Sequence, residues 1–151
     1  VLMCGAIPVL CEVDPKTFCI TVDTVKQCMT PRTKVIMPVH LYGQSAEMTS
    51  LVEYAKSNGV RVVEDAAQGV GVKYKGQHVG TFGDIGVLSY YGNKTITTGE
   101  GGIVLCKDIK EREPTKKCCN SLFFFKLNVE PINSTVNKNK ADLGEKCDDK
   151  S

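Results

Sequence analysis

Residues 35–63 carry the sequence VIMPVHLYGQSAEMTSLVEYAKSNGVRVV, and their pattern indicates the fold class. A short apolar run at 35–39 is bounded by turn-forming residues, which is typical of a buried strand. Apolar residues then recur at helical spacing over 45–58, and Gly59 follows as a helix-terminating residue. A second strand-like run occupies 60–63. Strand, helix and strand in this order predict a parallel pair with a right-handed crossover, and therefore an α/β fold.

The neighbouring sequence extends this pattern in both directions. A short helix is predicted upstream at 23–29, and two strands are predicted downstream at 85–90 and 102–106. We therefore expect a mostly parallel sheet flanked by helices over residues 1–108.

The composition changes after residue 108. Residues 109–151 become rich in Asn, Lys, Ser and Asp towards their end, with few apolar side chains. Such a segment buries too little surface to offset its conformational entropy. We expect an irregular, disordered tail there. A misjoined reading frame or an unspliced segment would give a sequence of the same kind. The chain starts at Val1 within an apolar pattern, so we expect its true start to lie upstream.

The bulk composition excludes several classes of protein. The 151 residues are 42% hydrophobic and 24% charged, which is ordinary for a soluble globular chain. The net charge of +2 gives no concentrated basic face for nucleic acid. No apolar run reaches the roughly 20 residues that a membrane span needs. The eight cysteines form no C-x-x-C pair, so we expect no metal site. Buried, reduced thiols in a cytoplasmic protein are expected instead.

Lys94 lies in a setting that an ordinary surface lysine does not need. It occupies the stretch YYGNKTITTGEGG at 90–102, between a strand end and a glycine-rich turn. A lysine that forms a Schiff base with a bound aldehyde must be held in position, as this setting would do. A solvated loop lysine is the alternative if Lys94 is considered alone.

Three further polar residues stand where they could complete a pyridoxal 5'-phosphate (PLP) site around Lys94. Asp65 ends a predicted parallel strand, at the edge where ligands bind open α/β sheets. A carboxylate there could pair with the pyridine nitrogen and keep the ring an electron sink. Gln68 could donate a hydrogen bond to the ring hydroxyl oxygen, and Ser89 could bind the phosphate.

Each residue also has a structural explanation when it is taken alone. Asp65 could be a helix cap or a solvated acid, and Ser89 could be satisfied by its neighbours. Together with Lys94, these two residues supply an acid, a hydroxyl and a lysine in the order that a PLP site requires. Competing phosphate motifs are absent, because Gly69-Val70-Gly71 lacks the third glycine of a dinucleotide fingerprint and no P-loop sequence occurs.

Five stretches resemble a known family, the DegT/DnrJ/EryC1/StrS group of fold-type-I, PLP-dependent sugar aminotransferases. The resemblance covers about residues 1–108, and the last stretch is especially similar to perosamine-synthase-like members, which act on a GDP-linked 4-keto-6-deoxyhexose. The five stretches are PRTK at 31–34, PVHLYGQ at 38–44, EDAAQ at 64–68, GTFGD at 80–84 and GNKTITTGEGG at 92–102.

The resemblance implies a role for each candidate residue. Lys94 would be the Schiff-base lysine, Asp65 the partner of the pyridine nitrogen, Gln68 the contact to the ring hydroxyl and Ser89 a phosphate ligand. The implied reaction transfers an amino group, usually from glutamate, to a keto sugar nucleotide for polysaccharide biosynthesis. A homodimer is implied for the full-length protein. His40 is expected to be a structural polar residue, with a role in the site as the alternative.

Family members are much longer than this chain. We therefore expect residues 1–108 to be a partial PLP-binding large domain that lacks a second phosphate-binding loop and the residue stacked on the ring. Alone, the chain is expected to have negligible aminotransferase activity. The alternative is a non-catalytic remnant that acts as a binding or dimer-modulating module.

Overall fold

The computed structural model describes residues 1–108 and the backbone of residues 123–126. Helices α1 and α2 and seven strands are present in this part of the chain. Their bounds are α1 Val22–Cys28, β1 Val35–Ile36, α2 Met48–Ser57, β2 Arg61–Asp65, β3 Lys73–Tyr74, β4 Gln77–His78, β5 Ile85–Ser89, β6 Gly102–Cys106 and β7 Phe123–Lys126. Short 3-10 turns occupy Leu2–Cys4 and Leu41–Gly43.

Five strands form one sheet in the order β1-β2-β5-β6-β7, and β3 and β4 form a separate hairpin. Strands β1, β2 and β5 are parallel, β6 runs antiparallel to β5, and β7 is parallel to β6. The predicted α/β class with a mostly parallel sheet is therefore confirmed. Strand β7 lies within the predicted irregular tail. The rest of that tail, 109–122 and 127–151, lies outside the described residues, and the domain boundary at 108 stays a prediction.

The first predicted strand is shorter than expected. It ends at Ile36, and beyond it Val39 makes only an isolated bridge to Asp65. Pro38 has no N–H to donate, which interrupts the ladder at this point. The prediction of a buried strand is also wrong for one of its faces, because Val35 is 46%, Met37 44% and Val39 40% exposed. No helix of the described chain covers these side chains.

The other elements differ from their predictions mainly at the ends. Helix α2 begins at Met48, three residues later than expected, and Gly59 follows its cap with a φ of 64°. Strand β2 continues to Asp65 and β5 ends at Ser89. No helix of the described chain is long and apolar enough to span a bilayer.

The apolar core lies on the face of the sheet that the helices cover. One cluster joins helix and strand side chains, and a second packs under the loop that follows β2. The first contains Val25, Ile36, Met48, Leu51 and Val62, and the second contains Ala66, Val79, Leu88 and Leu105.

The five described cysteines are free thiols. Cys19 and Cys106 are buried as expected, whereas Cys4 is exposed, so the expectation of burial is wrong for Cys4. Cys4 belongs to the N-terminal turn, which has no buried residues.

Candidate active site

Asp65 and Ser89 end two adjacent parallel strands on the same face of the sheet. Asp65 on β2 pairs with Val87 on β5, and Ser89 lies two residues further along β5. Since side chains two residues apart on a strand share a face, the carboxylate and the hydroxyl belong to one side of the carboxyl edge. Both residues are half-buried. This is the edge at which parallel α/β sheets bind their ligands.

The backbone of Asp65 is fixed on the side of β1. Its N–H donates to the Pro38 carbonyl at 2.9 Å, and its carbonyl accepts from the His40 N–H at 2.9 Å. The Oδ1 atom of its side chain accepts from the Ala67 N–H at 3.0 Å, which ties the carboxylate to the start of the following loop. The acid therefore has a defined place at the end of β2.

Gln68 lies in the loop after β2, and a backbone contact sets the orientation of its amide. The Tyr42 N–H donates to Gln68 Oε1 at 2.9 Å. Because a backbone N–H can only donate, the atom facing it must be the carbonyl oxygen. The Nε2 group is the part of the amide left to donate, as the expected contact with a ring hydroxyl oxygen requires.

Ser89 leads into the loop that carries Lys94. Its Oγ accepts from the Tyr91 N–H at 3.3 Å, which leaves the hydroxyl hydrogen to donate elsewhere. The loop closes on itself, since the Tyr90 N–H donates to the Gly101 carbonyl at 2.9 Å and the Thr98 N–H to the Tyr90 carbonyl at 3.0 Å.

Lys94 forms a tight turn inside this loop, with its N–H donating to the Tyr91 carbonyl at 2.9 Å. It is half-buried, while most residues around it are exposed. Within residues 1–108, its ammonium group makes no hydrogen bond or ion pair with another side chain. The position of its backbone is therefore defined, while its role as the Schiff-base lysine stays a prediction.

The structure thus gathers the four predicted residues around one edge of the sheet. Asp65 and Ser89 occupy the strand ends, and Gln68 and Lys94 lie in the loops that leave them. In the described chain no hydrogen bond joins any two of the four. An acid, an oriented amide, a hydroxyl and a lysine form a donor set that fits PLP.

Glu64 is a residue whose importance the sequence reasoning missed. It is fully buried and accepts three backbone N–H groups. Gly80 donates to Oε2 at 2.7 Å, while Phe82 and Gly83 donate to Oε1 at 2.7 and 2.6 Å. His40 Nε2 lies 3.0 Å from Oε2. The signal was available, because alternation along β2 places Glu64 on the opposite face from Asp65, towards the core.

His40 is also fully buried, and its contacts agree with the expected structural role.

Burial raises the pKa of Glu64, but the hydrogen bonds from His40, Gly83 and Gly80 outweigh burial, so the pKa of Glu64 lies below the usual range. The carboxylate is therefore charged in the native state.

This shift predicts a loss of stability in acid. A carboxyl group whose folded-state pKa is depressed contributes stability above its unfolded pKa, and the contribution disappears as pH falls through the folded pKa. We expect the free energy of unfolding to fall from pH 5 downwards in urea titrations. Glu64→Gln should flatten this part of the profile. An unchanged slope in that variant would contradict the assignment to Glu64.

Solved structures similar to this one define the class of protein. The aminotransferase TlmJ from Streptoalloteichus hindustanus matches with a TM-score of 0.72 and 37% identity over 75% of this chain and 31% of that one. NtdA from Bacillus subtilis, solved with bound cofactor PMP, matches with a TM-score of 0.59 and 37% identity over 64% of this chain and 21% of that one. The fold is that of the PLP-dependent aminotransferases.

The chain belongs to the DegT/DnrJ/EryC1/StrS aminotransferase family, whose model matches residues 1–123. Members of this family are sugar aminotransferases that use PLP as cofactor. A GDP-perosamine synthase from Escherichia coli O157:H7 is 51% identical over 104 residues, which are 69% of this chain and 29% of that protein. The chain therefore spans less than a third of the length of this relative.

Proposed function

We propose that this chain is part of the PLP-binding large domain of a sugar aminotransferase. The complete enzyme would transfer an amino group from glutamate to a keto-deoxy sugar nucleotide such as a GDP-4-keto-6-deoxyhexose. The observation that carries the proposal is the placement of Asp65 and Ser89 on one face of adjacent strand ends, with Gln68 and Lys94 in the loops that follow. Similarity to a GDP-perosamine synthase supports the choice of substrate.

Each of the four side chains has a distinct task in this proposal. PLP, when bound, carries the amino group between donor and acceptor and withdraws electrons from the reacting carbon. Asp65 would hold a proton on the pyridine nitrogen by charge pairing, and Gln68 would donate its Nε2–H to the ring hydroxyl oxygen. Ser89 would donate its hydroxyl hydrogen to the phosphate. Lys94 would bind the cofactor through its amine and would move a proton at the substrate carbon.

The site is only partly enclosed by the described chain. The face that carries Asp65 and Ser89 also exposes Val35, Met37 and Val39 by 40% or more. Catalysis of group transfer needs an enclosed, preorganised site. We therefore propose that this chain alone has negligible turnover. We also propose that the full-length protein is a cytoplasmic homodimer.

Covalent trapping of the cofactor tests the proposal directly. The purified chain is mixed with PLP, its absorbance is recorded at the edge of the visible range, and borohydride then fixes bound cofactor as pyridoxyl-lysine. Peptide mapping is expected to find the label predominantly on Lys94. A label spread evenly over the surface lysines would contradict the site. Clear turnover with glutamate and the keto sugar nucleotide would contradict the proposed incompleteness.

A non-catalytic module is the second candidate. The exposed apolar side chains on the site face favour it, because surfaces of this kind mark contacts with other polypeptides. The same experiment separates the two candidates. A remnant that has lost the site would show no preferred label on Lys94.

A further inference from the structure

The buried imidazole of His40 contacts two groups, the backbone N–H of Ala46 and the carboxylate of Glu64. Its Nδ1 faces the Ala46 N–H at 3.3 Å, and its Nε2 faces Glu64 Oε2 at 3.0 Å. The Ala46 N–H can only donate, so Nδ1 is the acceptor. Nε2 then carries the hydrogen and donates to the carboxylate. One neutral tautomer therefore satisfies both contacts, and it links the beginning of the loop to its end.

This link fixes an unusual turn between His40 and Ala46. The turn contains Tyr42 at a φ of 50°, a conformation that non-glycine residues rarely adopt. The Tyr42 side chain is 82% exposed, so its own packing does not hold the turn. A hydrogen bond within the turn, from the Gln44 N–H to the Leu41 carbonyl at 2.8 Å, supports this conformation, and contacts at the two ends of the loop add to it. The imidazole joins these ends.

The Tyr42 backbone connects the turn to the candidate active site. Its N–H is the group that orients the Gln68 amide, at 2.9 Å from Oε1. At the start of the same loop, the His40 N–H donates to the Asp65 carbonyl. Two of the four site residues are thus held by the segment that the buried imidazole fixes.

We propose that the Glu64–His40 pair is a positioning element for the cofactor contact of Gln68. The pair holds the loop from His40 to Ala46, and the loop presents the Tyr42 N–H to Gln68 so that Nε2 is left to donate to the ring. Glu64 and His40 themselves do not touch the cofactor. This inference rests on the proposed function for the identity of the ligand, but the loop geometry can be tested without it.

The first measurement uses the chain without PLP. Hydrogen exchange of the Tyr42 amide is followed by NMR and expressed relative to the Val104 amide in the same sample. His40→Leu removes both ring contacts, and we expect the relative exchange rate to rise about tenfold, as the loss of roughly one hydrogen bond would give. His40→Gln can donate to Glu64 and accept from Ala46, so it is expected to restore protection. Unchanged protection in His40→Leu would overturn the proposal.

Two further variants keep this measurement decisive. Leu105→Ala lowers stability from the second core cluster, which contains no residue of the loop from His40 to Ala46, and should leave the relative Tyr42 rate unchanged. If His40→Leu fails to fold, His40→Asn replaces it, because this side chain is polar but too short to reach both partners. Equal loosening by Leu105→Ala and by the His40 variant would show a purely structural role and overturn the proposal.

The second measurement is PLP affinity by fluorescence in a double-mutant cycle. His40→Leu and Gln68→Ala are each expected to weaken binding by about tenfold, and the double variant should lose no more than either one alone. Fully additive losses would overturn the proposal, since His40 would then not act through Gln68. If the wild-type chain captures no PLP, the proposed function fails, and the exchange measurement still decides the positioning role.

Discussion

Replacing Lys94 with alanine is expected to abolish the pyridoxyl label that borohydride fixes to the chain in the presence of PLP. The reason is chemical, because Lys94 supplies the primary amine in the loop that leaves the carboxyl end of β5. We expect the site-specific label to fall by about a hundredfold or more, down to the background of surface lysines. The measurement is mass spectrometry of the digested, reduced chain.

Lys73 provides a matched control for this change. It is an exposed lysine in β3, which belongs to the separate hairpin and not to the five-stranded sheet. Lys73→Ala should keep the label on Lys94, and Lys94→Arg should lose it although the positive charge is retained. A persistent specific label in Lys94→Ala would show that another lysine binds the cofactor.

Gly86→Ala is expected to be strongly destabilising, because among the described glycines an added Cβ meets its closest contact here. A Cβ at this position would lie 1.9 Å from the Gly80 carbonyl oxygen and 2.6 Å from its carbon. Both atoms belong to backbone, and the Gly80 N–H is bound to the buried Glu64 carboxylate, so the neighbouring turn cannot move away freely. We expect the free energy of unfolding to fall by about 3 kcal/mol or more.

Gly92→Ala is the appropriate comparison. A Cβ there would meet only the Gly99 carbonyl oxygen at 3.7 Å, which is an ordinary contact. Urea unfolding followed by circular dichroism should show a small change for Gly92→Ala and a large one for Gly86→Ala. Similar stability of the two variants would contradict the close approach of the two backbones.

The sequence predicts the elements of the fold well because their signals are local. The helical stripe before Gly59 and the apolar run of β6 each carry their own pattern, and β6 has the predicted bounds. The positions of Asp65 and Ser89 at strand ends follow from the same local signals. The family resemblance then supplied their roles, which stay proposals.

The parts that the sequence did not predict depend on contacts between distant segments. Glu64 looks like half of an acidic pair with Asp65, and only the fold shows that it binds the turn at Gly80 to Gly83. The hairpin at Lys73 and Gln77 is too short to give a periodic signal. The orientation of Gln68 is set by Tyr42, which lies far away in sequence and has no side-chain role there.

The antiparallel pairing of β5 with β6 has a consequence for the order in which the site is assembled. These strands meet through the single loop that carries Lys94, whereas β1 reaches β2 only after α2 and β2 reaches β5 only after the β3–β4 hairpin. Closing a short loop costs less entropy than joining distant segments, so local pairs form early. The lysine would then be in place on a nascent hairpin before the acid arrives. Binding of the cofactor would then mark the step at which β2, with Asp65, pairs with the hairpin of β5 and β6.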